Sequence, residues 1–179
     1  RSSDLSIGGG SGNTVSGAYS SIGGGQNNTI LSGSSFISSG KRNTSSAVYS
    51  SIIGGLNNSI ITRGSNAAHR SSIVGGQSNS ISGQYSFIGG GYGNYANTNG
   101  NSVVLGGGSN SALTFSASII GGQLNKAYGN TIIGARQGFV TGNTSATAYS
   151  IIGGGRQNTL KGHYSATIGG TANTLSASR

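Results

Sequence analysis

The side chains that do the work in most active sites are scarce in this sequence and poorly spaced for it. Its one acid is Asp4, its two histidines are His69 and His163, and cysteine is absent. A single carboxylate cannot supply the paired acids of a glycosidase, and a Ser/His/acid relay would need Asp4 to reach a distant histidine. The histidines lie many repeat units apart with no acidic neighbour to orient either, so they are not expected to converge on a metal. Without cysteine there is no disulfide framework and no thiolate metal site. The Gly-Gly-Gly runs lack the Lys-Ser/Thr ending and the helix that a phosphate-binding loop feeds. They recur in nearly every unit and read as architecture. The sequence therefore predicts no catalytic residue, no metal site and no cofactor, and the protein is expected not to be an enzyme.

The remaining candidates are suited to contact. Ten Lys and Arg stand against one acid, a formal net charge of +9, which attracts polyanions such as anionic glycans through a screened field. Lys41, Arg136 and Arg156 share one phase of the repeat, two residues before a recurring Asn, where Gln26, Gln77 and Gln123 also stand. With Arg42 beside this column and Arg63 and Arg70 in an insertion, the sequence predicts a basic strip contacting a polyanionic receptor. Tyr19, Tyr49, Tyr85, Tyr149 and Tyr164 make a second column, nine residues before the Asn. Such tyrosines suit carbohydrate or protein contact, or cover an edge between protomers. No sequence-specific nucleic-acid contact is expected.

These columns exist because the whole chain is periodic. Its 179 residues include 36 Gly, no Pro and only 32% apolar residues, too little for an ordinary two-layer core. Aligned on one column, Asn13, Asn28, Asn43, Asn58, Asn79, Asn94, Asn110, Asn125, Asn158 and Asn173 mark successive units, with Gly138 in the place between Asn125 and Asn158. The spacings are 15, 15, 15, 21, 15, 16, 15, 13, 20 and 15, which gives eleven coils. Six residues before the Asn stands Ile or Val, with Thr167 as the polar exception; two residues after it stands Val, Ile or Leu, replaced by Ala or Ser in four coils. These two columns are the expected core. A helix is excluded because glycine pairs interrupt each unit, and Gly costs about 1 kcal/mol in a helix interior.

The glycine pair lies four and three residues before the Asn, and a residue kept glycine at one phase marks positive φ or an approach too close for a Cβ. Each coil thus reads strand, tight glycine turn, strand, second turn. The fold expected is all-β: a parallel β-solenoid of about eleven ~15-residue coils stacked at ~4.8 Å into a rod ~50 Å long. Stacking turns the Asn column into a ladder of side-chain amides exchanging hydrogen bonds between coils, with the Asn also a turn residue that tolerates the left-handed region.

The residue after the first apolar column should face outward, yet it is Ile53, Val74, Leu105, Ile120, Ile133 or Ile168 in six coils and Gly in four. Solvent explains such a stripe poorly, whereas packing against copies of the chain explains it, most simply as three rods around an axis. Two coils carry insertions, at 61–71 and 141–149, both expected at one corner of the rod, where solenoids often place binding loops. The longest apolar runs are three residues, against the ~20 a membrane span needs. The chain is expected to be a single repeat domain over 1–179 and a segment of a longer protein.

The unit Y-S-x-I-x-G-G-x-x-N-x-I-x-G, matched at 19–33 with its last Gly one residue late and at 85–100 with Ala96 in place of the second Ile and its last Gly two residues late, resembles the head repeats of YadA-like trimeric autotransporter adhesins. It is also similar to glycine-rich repeats of large DNA viruses and phage fibres. The resemblance spans essentially the whole chain, which departs from the adhesin heads in its doubled Gly, its Asn column and Ile where those heads often have Ala. The resemblance implies a left-handed, trimeric parallel β-roll, displayed on a stalk at a cell or virion surface, attaching to host or matrix molecules. The expected function is accordingly that of an extracellular adhesin or fibre head. The alternatives from other classes are an ice-binding or crystal-surface solenoid, set against by the absence of a Thr-x-Thr row, and a purely structural fibre.

Overall fold

A computed structural model describes residues 4–61, 69–97, 100–128, 131–141, 150–161 and 164–176. Within them every coil contributes two short strands, such as β1 (Ser6–Ile7) and β2 (Thr14–Val15) in the first. The first strands of all coils stack into one eleven-stranded sheet and the second strands into another, each in strict sequence order. Pairing is parallel and in register, Ser6 with Ser21 and Ile7 with Ile22, so each residue lies over its counterpart in the next coil. A third ladder, one residue wide, runs along the first turn through Ser11, Gln26, Lys41 and their counterparts to Thr171. The chain is therefore a parallel β-solenoid with a ~15-residue repeat.

The strands are short, two residues in most coils and three in a few such as Lys126–Tyr128 and Thr159–Lys161, because only one side chain per strand turns inward. Ile22, Ile37, Ile52, Ile73, Ile88, Val104, Ile119, Ile132 and Ile152 fill one column, and Ile30, Ile60, Ile81 and Leu160 the opposing one, all inaccessible to solvent. In the second column Ala96, Ala112 and Ala127 follow one another, and buried Ser45 stands in for an aliphatic residue. Each interior residue is covered by the coils on either side. Ile7, on the first rung, is covered on one side alone and is half-exposed.

The glycine pair divides into two different requirements. The glycine three before the ladder Asn has φ between 85° and 102° in every coil that carries it, from Gly10 to Gly170. From Gly10 through Gly155, a Cβ there would also collide with the main-chain carbonyl of the coil above. The glycine four before the Asn has open space around it at Gly9, Gly24, Gly75 and Gly106, which is why Ser39 is accommodated at that phase. Left-handed backbone occurs at the residue before each ladder Asn, including Asn27 (φ 54°), Arg42 (56°), Leu124 (57°) and Ala172 (57°), and not at the ladder Asn itself. This corrects the sequence expectation by one position, and the reason is direct: the ladder side chain must point inward, so the chain reverses one residue earlier.

Candidate functional site

The Asn column is buried from Asn28 to Asn158 and forms a ladder whose partners are main-chain groups. The Asn28 side-chain oxygen accepts the main-chain N–H of Asn43 at 3.0 Å. The Asn28 Nδ2 donates to the Gly24 carbonyl of its own coil at 3.0 Å and to the Gly40 carbonyl of the next at 2.9 Å. The pattern repeats along the rod; a direct amide–amide bond is added where Asn125 Nδ2 donates to Asn110 Oδ1 at 3.0 Å. Where Gly138 replaces the Asn, its main-chain N–H still donates to Asn125 Oδ1 at 2.8 Å. Each buried amide thus bonds main-chain groups of its own glycine turn and of the next, adding to the turn's main-chain bonds such as Gln26 N–H to the Gly40 carbonyl at 2.9 Å. The column holds the turn and is not exposed for contact.

A second ladder occupies the other turn. Ser20, Ser35, Ser50, Ser71, Ser86 and Ser102, eight residues before the Asn, are all buried. Ser20 Oγ accepts the N–H of Ser35 at 3.0 Å and donates to the Ser32 carbonyl at 3.0 Å. Ser35 Oγ donates to the Ala47 carbonyl at 2.7 Å. The signal in the sequence is the Ser that recurs in the Tyr-Ser-x-Ile unit, replaced by Leu5, Ala117 and Asn130 in three coils and masked by the many outward serines nearby.

The basic residues do not form one strip. Lys41, Arg136 and Arg156 all sit on the first-turn ladder, exposed, but Leu56, Gln77, Tyr92, Gly108 and Gln123 separate Lys41 from Arg136. Six rungs at ~4.8 Å place about 29 Å between them, well beyond the ~8 Å screening length at physiological salt. There are two clusters, Lys41 with Arg42 and Arg136 stacked on Arg156. Arg70 is on the second turn, at the phase of the tyrosine column, with its guanidinium carbon 5.4 Å from the Tyr49 ring centre and 5.7 Å from that of Tyr85. Its Nη1 donates to the Tyr85 hydroxyl at 3.1 Å. Arg63, Tyr149 and His163 lie outside the described residues, as does most of both insertions, at 62–68 and 142–149. His69 is half-buried and its carbonyl accepts the N–H of Tyr85 at 3.0 Å. Among the described residues no three His, Cys, Asp or Glu lie together, and no helix is long and apolar enough to cross a membrane.

The two sheets present unlike outer faces. On the first, Ile53, Val74, Leu105, Ile120 and Ile133 are each 41–48% exposed, and Ile168 is 90% exposed. Where that position carries Ser38, Gly89 or Gly153, the other outward residue of the strand is large instead: Phe36, Phe87 or Ile151. From the third coil to the eleventh, every rung therefore shows at least one large apolar side chain on this face, over a length of about 38 Å at strand spacing. The sequence reveals half of this stripe; the complementary Phe and Ile occupy the position before the core Ile, where Ser dominates. On the second sheet the outward residues before the core position are Thr14, Thr29, Thr44, Ser59 and Ser80 in successive register, so that face is rich in hydroxyls over the first five coils, with Leu31 exposed among them. Neither a protein-family model nor a curated protein sequence matches this chain.

Proposed function

We propose that this chain is a non-enzymatic binding scaffold, the head of an extracellular adhesin or fibre displayed at a cell or virion surface. In this reading three copies pack their first-sheet faces around a common axis, leaving the hydroxyl face and both turns to engage a host or matrix surface repeatedly. The observation that carries it is the unbroken apolar stripe from Phe36 to Ile168, one large group on every rung, where the exposed apolar residues elsewhere, such as Leu31, Phe115 and Leu124, form no such continuous row. A flat parallel sheet with one large aliphatic or aromatic group per rung is a surface for burial, and a rod offers a partner rod matching length. Three identical arms then multiply weak contacts into useful avidity. The two exposed arginine and lysine clusters, unpaired by any nearby acid, favour an anionic glycan or similar polyanion as the surface engaged.

The test is the mass of the purified chain by light scattering, followed by retention on glycan and matrix-protein arrays. A trimer that dissociates when Leu105 and Ile120 are both changed to Ser, with the β spectrum unchanged, is expected. A folded monomer at high concentration overturns the reading. A trimer retained on no array reduces it to a structural fibre.

A further inference from the structure

We propose that the space between the rings of Tyr19 and Tyr49 is a binding site for an arginine side chain presented by a partner polypeptide. The molecule contains its own precedent two coils further on. Along the second turn, Tyr19, Ser34, Tyr49, Arg70 and Tyr85 share a left-handed backbone, with φ of 57°, 55°, 58°, 56° and 50°. From Ser34 onward each is tied to the rung before it by a main-chain bond: Ser34 N–H to the Ala18 carbonyl at 2.7 Å, Tyr49 to Gly33 at 3.3 Å, Arg70 to Val48 at 3.1 Å and Tyr85 to His69 at 3.0 Å. The side chains consequently leave the rod as one column at strand spacing, and tyrosines two rungs apart stand about 10 Å apart. That separation leaves room for one flat group.

Between Tyr49 and Tyr85 the flat group is the Arg70 guanidinium, within 6 Å of both ring centres and bonded to the Tyr85 hydroxyl. Between Tyr19 and Tyr49 the same backbone carries Ser34, whose side chain is too short to enter. The exposures agree: Tyr19 is 70% accessible, whereas Tyr85, closed by Arg70, is 51% accessible. A guanidinium suits the open slot because it is planar, weakly hydrated and attracted to ring faces, which repel a carboxylate. The chain's formal charge of +9 works against a free cation, so a partner that is acidic apart from its exposed arginine meets the least repulsion. The inference rests on the fold and the Arg70 geometry, and stands whether or not the chain is an adhesin.

The experiment titrates the intact chain with N-acetyl-arginine methylamide while following the tyrosine ring signals by NMR, with the isosteric, neutral citrulline derivative as control. Shifts confined to Tyr19 and Tyr49 are expected with arginine, with half-saturation on the order of 10 mM or weaker, since exposed cation–π contacts are individually small. Tyr92, exposed on the other turn, should not respond. Ser34→Arg should fill the slot from within, abolish the shifts and raise the melting temperature by a few degrees, a gain lost when Tyr19→Ala is added. Tyr19→Ala alone should abolish the response without Ser34→Arg having to fold. Equal shifts with citrulline, or shifts that persist in Ser34→Arg or Tyr19→Ala, overturn the proposal. Concentration-dependent shifts at Tyr19 without ligand would assign the slot to a second copy and overturn the partner named here.

Discussion

The side-chain oxygen of Asn43 accepts the main-chain N–H of Asn58 at 2.9 Å, and this one bond couples consecutive coils across a buried turn. The donor's own amide then repeats the act on Asn79 at 3.0 Å, even though a 21-residue spacing separates the two. An insertion can therefore leave the rod at the second turn without disturbing register at the first. Cooperativity in such a rod is nearest-neighbour in kind, so a lesion in a central coil weakens two interfaces and a lesion in a terminal coil weakens one.

Asn58→Asp tests the ladder. Asn58 Nδ2 donates to the Gly54 carbonyl at 2.9 Å and the Gly76 carbonyl at 3.0 Å, so a carboxylate there would face two carbonyl oxygens in a buried site. The expected loss at pH 7 is about 3 kcal/mol or more, from an unpaired buried charge. Burial raises the new carboxyl's folded-state pKa above its unfolded value. The folded state then binds the proton more tightly, so the loss is smallest below the ordinary aspartate range and grows as pH rises through it. Thermal unfolding from pH 3 to 8 should show that slope in Asn58→Asp and not in the parent.

The glycine pair makes a paired test at adjacent residues. Gly76 has φ 87° and a Cβ there would strike the Gly91 carbonyl, whereas Gly75 faces open space. Gly76→Ala should destabilise by more than about 2 kcal/mol, while Gly75→Ala should change stability by less than about 1 kcal/mol in either direction. Equal effects in chemical denaturation would show that the turn is held otherwise than by close backbone approach.

Much of this fold is legible in the sequence because stacking makes one physical demand recur at one phase. The core Ile columns, the glycine turns and the Asn column each stand out by repetition alone. What is not legible depends on three dimensions in a way that repetition conceals. Both glycines of the pair look equally necessary until the neighbouring coil is seen to press on one of them. Buried Ser20 and outward Ser21 are adjacent and identical, so the serine ladder has no compositional contrast. Arg70 reads as an insertion residue when counted forward from Asn58, yet counted back from Asn79 it falls in the tyrosine column, and only the folded turn decides between these. Phe36, Phe87 and Ile151 belong to the apolar stripe by filling the space that Ser38, Gly89 and Gly153 leave, a complementarity invisible in either column alone.

Neighbouring isoleucines separate stability from association. Ile52 is fully buried and Ile53, the next residue, is 46% exposed on the apolar face. Ile52→Ala should lower unfolding free energy by about 2–5 kcal/mol, as buried Ile truncations do. Ile53→Ser should leave the isolated coil stack within about 0.5 kcal/mol of the parent and weaken self-association. Denaturation at low concentration reads the first effect and sedimentation across a concentration range reads the second. If Ile53→Ser unfolds the chain while leaving its mass unchanged, the stripe serves the coil and not a partner.

Arg136 and Arg156 occupy consecutive rungs of the first-turn ladder, so their charges lie side by side, and the chain's one acid, Asp4, belongs to the opposite end. Two like charges at that spacing repel one another and are relieved by a polyanion that bridges them. The pair Arg136→Gln and Arg156→Gln should accordingly elute from a heparin column at distinctly lower salt than the parent, and should melt no lower. Lys41→Gln with Arg42→Gln removes the same charge from the other cluster, where the two residues are successive along the chain and Arg42 turns at φ 56°. A contact governed by net charge alone would make the two double variants equal. A contact with a ladder of stacked guanidiniums makes the Arg136 and Arg156 pair the larger loss, because bidentate guanidinium pairing to sulfate or carboxylate outlasts salt better than a lysine does.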